Sequence, residues 1–142
     1  IQELEKLIAP IINKECEISI GSRYLEQSRI IKSQPLYRRV WSRAANGIIQ
    51  QLLLPEIIDP HCGFKAFSAK ATQEIFSKCT VNEWSFDLEV LSLARHFSFR
   101  IGEVPVTWVN DERSKGKIRQ LPKEVLNVLR ISKKIRGLEK VS

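Results

Sequence analysis

Leu4, Leu7, Ile8, Ile11 and Ile12 repeat at the i, i+3, i+4, i+7, i+8 spacing of a buried helix face, so the chain is expected to open in a helix. Glu17-Ile18-Ser19-Ile20 alternates as a short strand that Gly21-Ser22 ends, and the polar run from Arg23 to Ser33 reads as a loop. A long helix is predicted from Pro35, with Leu36, Val40, Trp41, Ala44, Ile48, Leu52 and Leu53 as its apolar stripe and Pro55 as its stop. Gly63 to Phe67 is a short extended piece, and Ser68 caps a helix through Phe76. Ser85 is placed as the cap of a further helix, Phe86 to His96, with Leu88, Leu91 and Ala94 at helical spacing. Phe99 to Ile101, then Val104, Val106 and Trp108, alternate as a strand that Pro105 confines to a sheet edge. Asp111 to Lys117 is a charged loop, and Leu121, Val125, Val128, Leu129 and Ser132 mark a closing amphipathic helix. Helices interleaved with short strands make the fold class α/β.

At 142 residues, 43% of them hydrophobic and 27% charged, the chain is a single globular unit with no run of apolar residues long enough to span a bilayer. Its three cysteines, Cys16, Cys62 and Cys79, lie far apart without a CxxC pair, which points to reduced thiols in a cytosolic setting. There is no methionine, and the chain enters a helical pattern at once, so a piece of a longer protein is expected. The net charge of +7 is uneven: −2 over residues 1–20, +5 over 21–50, −2 over 51–110 and +6 over 111–142. Two basic blocks around an acidic middle point to a localised anionic partner, for which phosphate, a membrane surface and nucleic acid all qualify on charge alone.

Four constellations can carry chemistry. Gly21-Ser22-Arg23 stands at a strand end, where α/β folds place ligands, and Arg38, Arg39 and Ser42 follow on the next helix. Guanidinium groups there suit a phosphate, which they grip with two parallel hydrogen bonds, although a solvated helix face has the same composition. Asp59-Pro60-His61-Cys62-Gly63-Phe64-Lys65 begins as a turn; its Asp, His and Cys fit no usual metal-ligand spacing, and Lys65 is either a phosphate ligand or the polar side of a strand. Asp87 and Glu89 open a helix, where acidic residues complement the dipole whether or not they face a site. Arg113-Ser114-Lys115-Gly116-Lys117 is a basic loop.

Taken in order, Gly-Ser-Arg-Tyr at 21–24, Asp-x-x-Cys-Gly-Phe-Lys-x-Phe at 59–67, Trp-Ser-Phe-Asp-x-Glu at 84–89, Glu-Val-Pro-Val-x-Trp at 103–108 and Ser-Lys at 114–115 resemble the second half of the family-2 polyprenyl-phosphate glycosyltransferases. Cys-Gly-Phe-Lys with Trp-Ser-Phe-Asp-x-Glu is closer to the dolichyl-phosphate β-glucosyltransferases than to the mannosyl enzymes. The resemblance implies the C-terminal half of a GT-A, Rossmann-like domain, a mixed sheet flanked by helices. Residues 1–119 would be the acceptor-side half, without its nucleotide-binding half, and 120–142 a basic amphipathic helix. It implies an inverting enzyme that moves a hexose, glucose for the closest relatives, from a nucleotide sugar to polyprenyl or dolichyl phosphate at the cytoplasmic face of a membrane. The family's Asp-x-Asp, which holds a divalent cation (Mg or Mn), has no counterpart here, so the main metal ligands and the donor site are expected outside this chain and the chain alone is expected to be inactive. Carried over residue by residue, the resemblance sets Arg23, Arg38, Arg39, Ser42, Arg113 and Lys115 around the carrier phosphate. It makes Asp59 the preferred acidic residue, with Asp87 as its rival. A basic nucleic-acid-binding module is the alternative from another class, with only Tyr24, Tyr37 and Trp41 as aromatic residues near the basic patches.

Overall fold

The structure is a computed structural model that describes residues 3–32, 36–81, 85–109 and 121–139. Along the chain run α1 (Leu4–Ile12), β1 (Ile18–Ser22), β2 (Arg29–Lys32), α2 (Leu36–Leu52), β3 (Lys65–Phe67), α3 (Ala69–Phe76), α4 (Phe86–His96), β4 (Ile101–Pro105), β5 (Thr107–Val109) and α5 (Leu121–Glu139). The α/β class holds: helices flank a mixed sheet of order β3-β1-β4, with a second, two-stranded sheet β2-β5 beside it.

β1 is the middle strand, antiparallel to β3 and parallel to β4, and all five of its residues are buried. Strands covered on both faces lose the alternation that a half-exposed strand shows, which is why Ser19 and Ser22 are as buried as Ile18 and Ile20. A Cβ on Gly21 would meet Val106 Cγ1 at 2.8 Å and Cys62 Sγ at 3.3 Å, so the strand end packs this closely only with glycine there. β4 lies at a sheet edge, as Pro105 foretells; its last residue pairs with Ser22, and Val106 carries the chain across into the second sheet.

β2 corrects the reading of Arg23 to Ser33 as a loop: Arg29 and Ile30 pair with Thr107 and Trp108. Ile30 and Ile31 remain largely exposed, so this strand carries no core signal in its sequence. α1 also differs from expectation, since Leu7 is its one buried residue while Leu4 and Ile12 are exposed.

α2 is where predicted, but its stripe is rotated. Val40, Ile48 and Leu52 are 61%, 51% and 44% exposed, whereas Asn46 and Ile49 turn inward; Leu53, the last residue of the expected stripe and just past the helix, is buried as expected. Asn46 and Gln50 side-chain amides donate to the carbonyls of Ile58 and Ile57, so polar anchors hold this rotation. On α5, Val128, Ile131 and Ser132 are buried, while Val125, Leu126 and Leu129 face outward.

Ser68 caps α3 as expected, accepting from the Ala71 amide at 3.3 Å. Ser85 precedes α4, yet its side chain does not cap the helix; its hydroxyl accepts from Asn127 Nδ2 of α5 at 3.2 Å. Every residue from Leu88 to Ala94 is buried: α4 packs against α3 and α5, and its apolar residues share a core cluster with Ile18 and Ile20 of β1. One core results, in which Ile18 and Ile20 of β1, Ile75 of α3, Leu91 of α4 and Ile131 of α5 belong to the same cluster.

Candidate functional site

Parallel β1 and β4 end at the same edge of the sheet, where Ser22 pairs with Pro105, and β3 starts there with Lys65 opposite Ile20. Open α/β sheets bind ligands at such carboxyl ends. Arg23 is the first residue past β1. Its backbone N–H donates to Asp59 Oδ2 at 2.9 Å, while Nε and Nη2 donate to Oδ2 and Oδ1, both at 2.7 Å. The Asp59 side chain is fully buried and that of Arg23 is 17% exposed. Two parallel charge-assisted bonds fix the guanidinium plane, and the carboxylate pushes its pKa further above an already high ordinary value.

The guanidinium also lies over two aromatic rings. The guanidinium carbon sits 5.4 Å from the centroid of Trp108 and 5.5 Å from that of Tyr24, contacts worth about 0.5–2 kcal/mol each. Trp108 reaches this position because β5 pairs with β2 directly after the chain leaves β4. The turn bearing Asp59 is itself held from β4, where Glu103 accepts the amides of Ile58 at 2.8 Å and Asp59 at 2.9 Å. Sequence reasoning assigned no role to Glu103 or Trp108. Their one signal is that both stand in the Glu-Val-Pro-Val-x-Trp string.

Asp87 belongs to a second ion pair. Its Oδ1 accepts from Lys65 Nζ at 3.0 Å, and the same ammonium donates to the Cys62 carbonyl. Lys65 is 5% exposed and Asp87 33%, so the lysine is committed inward and the carboxylate keeps a face to solvent. His61 feels both pairs. Burial pushes its imidazole below the ordinary value, against the opposing pull of Asp87 and Asp59. Glu89, two residues on, points elsewhere: its buried carboxylate accepts from the amides of Thr80 and Val81, the Thr80 hydroxyl and Lys134 Nζ.

Of the predicted site residues, then, Arg23 and Asp59 meet directly, and Asp87 stands in the neighbouring pair. Arg38, Arg39 and Ser42 fall within α2 with their side chains outside the description, and Arg113 and Lys115 lie outside the described residues. A divalent cation does not fit the Asp59-His61-Cys62 string. Both Asp59 oxygens are taken by Arg23, and burial raises the Cys62 thiol pKa, which works against a thiolate ligand. Among the described residues no group of three or more His, Cys, Asp or Glu side chains could hold a metal, and no helix is long and apolar enough to cross a membrane.

The sheet and its charged carboxyl edge are those of an α/β enzyme domain, and comparison with known proteins makes the chain part of a glycosyltransferase. No family model matches it. It is 32% identical over 130 residues to the dolichyl-phosphate beta-glucosyltransferase ALG5D of Trichomonas vaginalis, covering 92% of this chain and 39% of that protein. It is 33% identical over 98 residues to the human dolichyl-phosphate beta-glucosyltransferase, covering 69% and 30%. With glycosyltransferase AglD of Haloferax volcanii it shares 34% identity over 108 residues, 76% of this chain and 17% of that protein. The chain is thus homologous to a part of the dolichyl-phosphate glycosyltransferases and spans well under half the length of these relatives. The nucleic-acid module that charge alone allows finds no support among them.

Proposed function

We propose that this chain forms the acceptor side of an inverting glucosyltransferase whose donor is a nucleotide sugar and whose acceptor is a polyprenyl or dolichyl phosphate. The observation that carries the reading is the Arg23–Asp59 fork at the carboxyl end of β1, in a chain homologous to proteins named for that activity.

In the reaction a phosphate oxygen of the carrier attacks the anomeric carbon of the sugar. The bond from that carbon to the nucleoside diphosphate breaks, and the configuration inverts. A phosphate monoester is largely ionised near neutral pH, its second pKa being about 6, so the nucleophile needs little help from a base. Two anionic reactants instead need neutralising, orienting donors. Asp59 binds one edge of the Arg23 guanidinium, through Nε and Nη2; among the described residues no bond to Nη1 is seen, and in this reading the phosphate takes that edge. Arg38, Arg39, Ser42, Arg113 and Lys115 complete the phosphate site in this reading. Asp59 serves as an orienting group, and Asp87, with its exposed face, is the rival carboxylate. Donor binding and a divalent cation on the donor diphosphate fall to segments other than this one.

A lipid-borne acceptor also calls for a membrane surface, at its cytoplasmic face. The outward ridge Val40, Ala44, Ile48 and Leu52 of α2 supports this, as does the exposed face of α5, apolar at Val125, Leu126 and Leu129 and basic at Arg130, Lys133 and Arg136. The test is steady-state kinetics of a whole enzyme carrying this chain. Arg23→Lys is expected to raise KM for polyprenyl phosphate at least about tenfold while leaving KM for the sugar nucleotide within about twofold, the loss of a bidentate contact to one substrate only. Equal changes for both substrates would refute the phosphate role.

A further inference from the structure

The Arg23–Asp59 fork is not held by its own two residues. Asp59 lies between α2 and β3, in a segment that Asn46 and Gln50 hold at the Ile58 and Ile57 carbonyls and that the Cys62 N–H closes on the Asp59 carbonyl. The amides of that segment are held from β4. Glu103 spends both carboxylate oxygens on two consecutive amides, Oε2 on Ile58 N–H at 2.8 Å and Oε1 on Asp59 N–H at 2.9 Å. Bonds to successive amides lock the peptide planes on either side of Ile58, and with them the direction in which Asp59 leaves the backbone.

Glu103 is also tied to the strand that ends in Arg23. It pairs with Ile20 in the parallel ladder, three residues before Arg23. The connection is therefore closed: β1 sets the register of β4, Glu103 sets the turn, Asp59 sets the guanidinium, and the guanidinium returns to the end of β1. Of these four links the first is a strand pairing and the last the chain itself, while the two between them are hydrogen bonds to a carboxylate.

We infer that Glu103 is a positioning residue that, through the Ile58 and Asp59 amides, aims the edge of the Arg23 guanidinium turned away from Asp59 at an anionic phosphate. This rests on the phosphate role proposed for Arg23, so the experiment separates the two. The 142-residue chain is titrated with phosphatidylcholine vesicles with and without a few mole per cent of polyprenyl phosphate. The Arg23 Nε–H resonance is followed by nitrogen-15 NMR. Glu103→Gln sets an amide NH2 against a backbone N–H, and is expected to shift that resonance, speed its exchange with water, and weaken phosphate-dependent vesicle binding about tenfold, the scale of one lost hydrogen bond. Asp59→Asn should do the same, and the double variant should be no weaker than Asp59→Asn alone, because both act through one path.

If Arg23→Lys binds the phosphate vesicles as the parent does, the phosphate role falls and this inference with it. If Arg23→Lys loses binding while Glu103→Gln changes neither resonance nor binding, the phosphate role stands and the inference is overturned. Additive losses in the double variant overturn it as well, since Glu103 would then act by another route. Should Glu103→Gln fail to fold, Glu103→Asp, which keeps the charge but withdraws it by one methylene, is read by the same two signals against the same outcomes.

Discussion

Lys134 of α5 closes on Glu89 of α4 at 2.6 Å, placing an ammonium on a carboxylate that is otherwise sealed from solvent. Thr80 and Val81 supply that carboxylate with three more donors, so one side chain ties α5, α4 and the segment after α3 together. Burial alone would raise the Glu89 pKa, but Lys134 and the Thr80 and Val81 donors outweigh it and hold the group below its ordinary 4.5. A carboxylate depressed in the folded state contributes stability that is complete above its unfolded pKa and is lost as pH falls through the folded value. Glu89→Gln is therefore expected to destabilise the chain by about 1–3 kcal/mol at pH 7, with a deficit that shrinks steadily below about pH 4.5. Urea denaturation of both proteins from pH 7 to 3 measures it.

Asp59→Ala strands a largely buried guanidinium. The expected loss is about 3–5 kcal/mol, because the charge stays inside without its partner. Arg23→Leu combined with Asp59→Leu removes both charges and should recover most of that loss, while phosphate-dependent vesicle binding stays lost. Denaturant midpoints for the first effect and vesicle titration for the second check the pair.

Two glycines should respond in opposite directions. Gly21→Ala drives a methyl to 2.8 Å from Val106 Cγ1, beside Cys62 and Phe64, and should cost about 1–3 kcal/mol. At Gly47, inside α2, an added methyl would find nothing within 4 Å, so Gly47→Ala should stabilise by about 0.5–1 kcal/mol. Thermal unfolding of the two variants beside the parent decides both.

The exposed ridge of α2 predicts partitioning onto lipid. Ile48→Glu or Leu52→Glu, at exposed residues, should leave the unfolding midpoint nearly unchanged. Either should weaken sedimentation with anionic vesicles several-fold by adding a charge to the apolar face. Raising salt should weaken the parent's binding further, through the Arg130, Lys133 and Arg136 share of the contact.

Element by element, what could be read from the sequence follows physical rules. Ser68 announces α3 because its cap is a local interaction, complete within four residues. α2 declares its existence through periodicity but not its orientation, since its apolar residues are numerous enough to draw a stripe on either face. The choice between them is made by Asn46 and Gln50 reaching the carbonyls of residues 58 and 57. β2 is invisible because a short exposed strand needs a partner, β5, that lies more than seventy residues away. In the site, Arg23 is legible as a candidate from its strand-end placement, and Asp59, whose residues alone read as a turn, through the family resemblance. Their bond across 36 residues is not, nor is the Glu103 support across 44, because both depend on how the turn is folded against β4.

The burial of β1 bears on when the site can come apart. With every residue enclosed and strands on both sides, its amides are expected to exchange among the slowest in the chain, mainly through global unfolding. Arg23 is rooted at the end of that strand, whereas Asp59 comes from a turn held by a handful of side-chain contacts. Brief local openings of the turn would release the carboxylate while the Arg23 backbone stays in place, so fluctuation at this edge would loosen the orientation of the guanidinium without carrying its residue away from the strand end.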